Sequence, residues 1–236
     1  MSIKPVINEI STSTGIIIRN KYIDIFRRAY FINKIYESGI KNIEVGSFRE
    51  YDHILFGTRD VVFNVNKTIN DKRSAFVIDI GSTIKNVSCV NSVKPMVDEL
   101  VYFIDKKEDI EEFIKHKIIA KQLGMTTKLI IENKDELNYI VNETQPDFIE
   151  VYKVSPEVLK VNELSKVFIR PNSLEDVDKA IHENIYNFSS SLLKTPDHLD
   201  TIDLISHLRT KLGFEVNVSL EKLKLTQKEM HDEFNW

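Results

Sequence analysis

The six residues from Ile43 to Phe48 read IEVGSF, an apolar run that carries one carboxylate, Glu44. A buried carboxylate is costly unless it is paired, hydrogen-bonded or bound to a metal, so its place in such a run calls for a partner. Other groups suited to acid–base work or anion binding lie at the ends of further apolar runs: Asp79, Asp105, Glu132, Lys153 and Arg170. A strand lysine suits Schiff-base chemistry, but the alternation that turns Glu150 and Tyr152 to one face turns Lys153 to the other. The six histidines stand in no HxH or HExxH spacing, so they suggest no metal centre. The single cysteine, Cys89, excludes an intramolecular disulfide and a cysteine-cluster zinc site, and it fits a reducing compartment.

Positioning these groups requires a scaffold, and the chain pattern supplies one. Short β-branched runs (PVINEIS, KNIEVGS, SAFVIDI, ELVYFID, TKLIIEN, DFIEVYKV, KVFIRP and YNFSSSLL) alternate with longer segments of helical period. In the segment after residue 20, Ile23, Phe26, Tyr30 and Ile35 recur at helical spacing and Gly39 supplies a stop. The segment after Asp105 begins acidic, carries an apolar stripe and closes at Gly124. DELNYIVNET, LEDVDKAIHENI and LDTIDLISHLRTKLGF follow the same plan, and VSLEKLKLTQKEMHDEFNW reads as an extra terminal helix. No linker or composition shift interrupts the series. The pattern predicts an α/β protein of one domain over residues 1–236, a compact (β/α)8 TIM barrel with an extra C-terminal helix.

Bulk properties narrow the function classes. Basic and acidic residues number 32 and 36 and are interspersed, giving a net charge of −4 and no footprint for nucleic acid or an anionic membrane. No apolar run approaches the roughly 18 residues of a membrane span and the N-terminus has no apolar signal core, so a cytoplasmic protein is expected. Glycine is scarce, 7 in 236 residues, against a usual share of about 7%. This argues against a phosphate site built from glycine-rich loops. The abundance of Ile, Lys and Asn fits an AT-rich genome, that of a virus or parasite included.

The stretches EISTSTGIII and YIDIFRRAYFINKIYESGIKNIEVGSF resemble the opening of hydroxymethylglutaryl-CoA lyases and related metal-dependent carbon–carbon lyases and synthases. The closing run TPDHLDTIDLISHLRTKLGFEVNVSLEKL resembles that family's end. The resemblance implies a TIM barrel with a divalent-cation site, built from an Arg-Asp-Gly step after the first strand, a His-x-His pair on the seventh and an Asn before the last barrel helix. At the matching positions this chain has Ser13-Thr14-Gly15, then Phe168 and Arg170, then His198, and the loop that carries the family's catalytic Cys has no counterpart between SSSLLK and TPDHL. Glu44 and its strand are what remains of the family's inner site. His198 is expected in a surface N-cap neighbourhood rather than on a metal, and no metal or cofactor is expected.

Period-two alternation offers Glu44 its partner. With Glu44 and Gly46 turned into the barrel, Glu150 and Tyr152 on the sixth strand and Phe168 and Arg170 on the seventh are turned in as well. The guanidinium of Arg170, with five donors in a fixed fork, then stands in for the missing cation and pairs with Glu44 or Glu150. The leading expectation is a degenerate lyase-like barrel without lyase activity that serves binding or assembly, in a virus as part of the particle, through an unknown protein partner or self-association. The alternative is an active lyase or aldolase-type enzyme with metal-independent chemistry at the C-terminal rim, where Glu44 and Arg170 are the catalytic candidates.

Overall fold

The computed structural model describes residues 3–16, 23–47, 60–61, 64–65, 75–79, 97–104, 109–132, 134–193 and 195–234. Eight strands lie where the β-branched runs placed them: β1 (Val6–Glu9), β2 (Asn42–Ser47), β3 (Ala75–Asp79), β4 (Glu99–Ile104), β5 (Thr126–Ile131), β6 (Phe148–Val151), β7 (Val167–Ile169) and β8 (Asn187–Ser190). All neighbours pair parallel in chain order, and β8 returns to pair with β1 and close the ring. The register shifts between Glu44 and Gly46 in the β2–β3 ladder.

Helices α1 (Ile25–Glu37), α2 (Asp109–Gln122), α3 (Leu137–Thr144), α4 (Leu174–His182) and α5 (Thr201–Thr210) form the outer layer, followed by α6 (Leu220–Phe234). Their starts are set locally. Asp24 accepts hydrogen bonds from the Phe26 and Arg27 amides, Ser173 from the Asp176 amide, and Asp200 from those of Ile202 and Asp203. Each caps donors that a helix leaves unsatisfied. The expected extra terminal helix is α6, tied to α1 by an Arg27–Glu233 ion pair of 2.9 Å and a Tyr30–Glu229 hydrogen bond of 2.7 Å.

The strict strand–helix alternation is not complete among the described residues. Between β6 and β7 the chain makes two 3-10 turns, Val158–Lys160 and Leu164–Lys166, in place of an α-helix. Val158, Val161 and Leu164 recur every three residues, the period of a 3-10 turn, and Pro156 stands at the start of the segment. The β2–β3 and β3–β4 connections lie largely outside the described residues, as do Cys89 and Asp105.

Two apolar groupings divide the fold. The larger fills the space between sheet and helices and takes the outward residues of the strands, such as Ile43, Val45, Leu129, Ile131, Ile149 and Phe188. The smaller lies inside the barrel, where Val101 and Ile130 pack with Phe103 and Tyr152. The interior also holds buried charged side chains, Glu44, Lys128, Glu150 and Arg170 among them, and it is there that the candidate site forms.

Candidate functional site

Glu150 is the hub. It is 1% exposed, and its Oε1 accepts a 2.5 Å hydrogen bond from Arg170 Nε and pairs with Nη2 of the same guanidinium. Its Oε2 accepts from Ser189 Oγ at 2.6 Å and lies 3.9 Å from Lys128 Nζ. Arg170 follows β7 directly, and its own amide donates to the Val151 carbonyl at 2.8 Å, which fixes the root of the side chain. On the far side of Glu150, Lys128 pairs with Glu99 at 2.8 Å and rests 4.2 Å from the Phe168 ring centroid. Glu99, Lys128, Glu150 and Arg170 therefore form a chain of alternating charge across four adjacent strands.

His198 completes the chain on the β8–α5 connection. Arg170 Nη1 lies 3.3 Å from His198 Nε2, and because a guanidinium only donates, Nε2 is the acceptor. The ring proton then sits on Nδ1, which donates to Thr195 Oγ1 at 2.7 Å. Burial and the adjacent Arg170 charge push the imidazole down to about 3, in keeping with this neutral tautomer. The expected surface position of His198 is corrected here: it is 7% exposed. The cap of α5 is Asp200, two residues on, which leaves His198 free to turn inward.

The electrostatics hold Glu150, Lys128, Arg170 and Tyr152 far from neutral titration. Burial works against the charges of Glu150, Lys128 and Arg170 alike, but their opposite charges outweigh it, so Glu150 is held below the usual carboxylate range and both cations are held above theirs. Tyr152 is pushed up to about 12, chiefly by burial; its ring lies 5.5 Å from the Arg170 guanidinium and its hydroxyl donates to Glu132 at 3.1 Å. A general acid or base serves best with a pKa near the working pH, and none of these groups has one.

The structure thus brings Glu150, Tyr152, Phe168 and Arg170 together and selects Glu150 as the direct partner of Arg170. Glu44, 1% exposed, lies close enough for its charge to act on both Arg170 and Lys128, and its backbone carbonyl accepts from Thr12 Oγ1 at 2.8 Å. Lys153 is exposed, Glu132 is exposed at the end of β5, and Asp79 ends β3. Sequence reasoning missed Lys128 and Glu99. The signal existed: a lysine inside TKLII is as anomalous as the glutamate inside IEVGSF.

Glu9 was missed as well. Fully buried outside the inner ring, it accepts from the Ser11 amide at 2.8 Å, the Leu192 amide at 3.2 Å and the Thr201 hydroxyl. Burial pushes it up to about 7 despite these donors. It ties β1 to the β8–α5 connection.

The donor set does not fit a divalent cation. Such an ion needs several oxygen or imidazole ligands in near-octahedral array. Phe168 offers none, Arg170 brings a permanent positive charge, and the Nε2 lone pair of His198 and the oxygens of Glu150 are already engaged by that charge and its neighbours. Among the described residues, no three His, Cys, Asp or Glu side chains form a metal-binding group. Among them, too, no helix is long and apolar enough to cross a membrane.

Comparison with solved structures identifies the fold. The hydroxymethylglutaryl-CoA lyase of Bacillus subtilis superposes with a TM-score of 0.84 at 15% identity, covering 100% of this chain and 96% of that one. The lyase of Brucella melitensis gives 0.84 at 12% identity with 100% of both chains covered. The Acinetobacter baumannii lyase, solved with coenzyme A and 3-methylmalate, gives 0.82 at 15% identity, covering 100% and 93%. No protein-family model and no curated protein matches the sequence. The chain has the fold of the hydroxymethylglutaryl-CoA lyases.

Proposed function

We propose that this protein is a hydroxymethylglutaryl-CoA lyase-like barrel without lyase activity, kept as a binding or assembly scaffold. The observation that carries the reading is Arg170. At a position where the resemblance implies a metal-binding histidine, a guanidinium is bonded to Glu150 and to His198, the one imidazole at the site among the described residues. A cation entering there would meet a fixed positive charge and ligands already engaged. Glu150, Lys128, Arg170 and Tyr152 are all held away from neutral titration, which favours the scaffold over metal-independent lyase or aldolase chemistry through these groups.

The test is a thermal-unfolding scan with and without excess Mn²⁺, run beside an assay for cleavage of hydroxymethylglutaryl-CoA. A ligand present at about 100 times its dissociation constant stabilises by about 2.7 kcal/mol. The expected result is an unchanged midpoint and no cleavage. A rise abolished by chelator and lost in His198→Ala, or turnover above background, would overturn the reading.

A further inference from the structure

The outer layer holds one helix that is apolar on two faces. In α2, Ile110, Phe113 and Ala120 are buried, the single stripe that a barrel helix needs. Ile114 and Ile118 form a second apolar pair, one turn apart and turned to solvent at 37% and 55% exposure. Among the described helices, α2 alone exposes two large apolar side chains. A helix that is apolar on both sides is one that is covered on both sides.

The charges around the pair select what covers it. Glu111, Ile114, Ile118 and Lys121 follow one another at steps of three, four and three residues, which draws a single line along the exposed side of the helix. Glu111 and Lys121 are exposed and make no ion pair among the described residues. The neighbouring cations are directed elsewhere: Lys115 lies 3.7 Å from its own Glu112, and Lys117 donates to the Thr144 and Gln145 carbonyls. The midpoint between Ile114 and Ile118 is also the midpoint between Glu111 and Lys121. A two-fold axis through that point therefore lays Ile114 on Ile118 of a second copy, and at each end sets Glu111 of one copy against Lys121 of the other. The helix dipole accounts for an acidic start and a basic end, but not for the apolar pair on the solvent side between them.

From this self-complementarity we infer that the exposed face of α2 is the contact surface of a homodimer, in which α2 packs antiparallel against α2 of a second copy of this chain. The isoleucines form the dry centre and the two Glu111–Lys121 pairs close its ends. One helix face is small beside a standard interface, so the dimer is weak and dissociates on dilution. A second copy is one form of the assembly partner proposed above. The face takes no part in the Arg170 site, so failure of either reading leaves the other standing.

The experiment is sedimentation velocity of the full chain over a dilution series reaching about 1 mM, with circular dichroism as the check on folding. The expected result is a concentration-dependent dimer, weakened by salt and lost in Ile118→Asp. Glu111→Lys and Lys121→Glu each place like charges at both ends of the contact, and each weakens the dimer by about tenfold. An equimolar mixture of these two variants regains the affinity, because their heterodimer sets opposite charges at both ends. Within one chain the two positions are about 15 Å apart along the helix, so only pairing between copies produces that rescue. A single-chain mass throughout the series, a dimer indifferent to Ile118→Asp, or a mixture no tighter than the separate variants would each overturn the assignment. The dilution series needs no variant, so it decides the matter even where a substitution fails to fold.

Discussion

Replacing Arg170 by methionine removes both guanidinium bonds to Glu150 and the contact with His198 while keeping most of the side-chain bulk. Glu150 is then left 1% exposed with Ser189 Oγ at 2.6 Å and Lys128 at 3.9 Å as its remaining partners. Breaking a buried pair by deleting one member costs about 3–5 kcal/mol, and the residual Lys128 charge places this case near 3. The pH dependence gives a sharper signature. In the unaltered protein Glu150 is held below its unfolded value by Arg170 and Lys128 against the penalty of burial, so its contribution is present above the unfolded pKa and is lost as pH falls through the folded one. Without Arg170, burial raises the folded pKa above the unfolded value, and stability instead falls as pH rises through that interval. The penalty of Arg170→Met is therefore larger at pH 7 than at pH 5. Urea unfolding at both pH values measures it from the midpoint at constant slope. Arg170→Met combined with Glu150→Gln removes the orphaned charge and recovers most of the loss, with Lys128 still paired to Glu99 at 2.8 Å. A loss below about 1 kcal/mol, or one indifferent to pH, would refute the claim that the ion pair organises the barrel interior.

Two further outcomes follow from buried groups elsewhere. Glu9, pushed up to about 7 by burial from an ordinary carboxylate value of 4.5, binds its proton more tightly folded than unfolded, so stability falls as pH rises between those values. The full span amounts to about 3 kcal/mol. Glu9→Gln flattens that part of the urea pH profile, and an unchanged slope counts against the assignment. Gly39 has φ +111°, and a Cβ there would meet the Asn217 carbonyl oxygen at 2.4 Å, whereas at Gly124, φ +73°, nothing lies within 4 Å. Gly39→Ala is expected to lower stability by more than about 1 kcal/mol and to lower the melting midpoint further than Gly124→Ala; equal midpoints would contradict this packing argument.

The sequence made the faces legible, and the partners depended on register. The β-branched runs located all eight strands, and alternation from a single anomalous glutamate turned Glu150, Tyr152, Phe168 and Arg170 to the inner face. His198 was misplaced because TPDHLD has the composition of a cap; the capping is done by Asp200 alone. The ion-pair chain obeys a rule that alternation cannot express. Glu99 is in register with Thr126, but its partner is Lys128, two residues on; Lys128 is in register with Phe148, but it approaches Glu150, two residues on; Glu150 is in register with Phe168, but it binds Arg170, two residues on. Each step to the next strand climbs by one inward position, because tilted, staggered strands bring inner side chains together along a diagonal. Charge alternates in sign along that diagonal, ending at Arg170, where the chain meets His198. A sequence read one strand at a time contains all four residues without the diagonal that joins them. Once the register is known, the lysine in TKLII and the glutamate opening ELVYFI become as informative as the glutamate in IEVGSF, and the interior reads as one charge-compensated unit rather than a remnant of separate ligands.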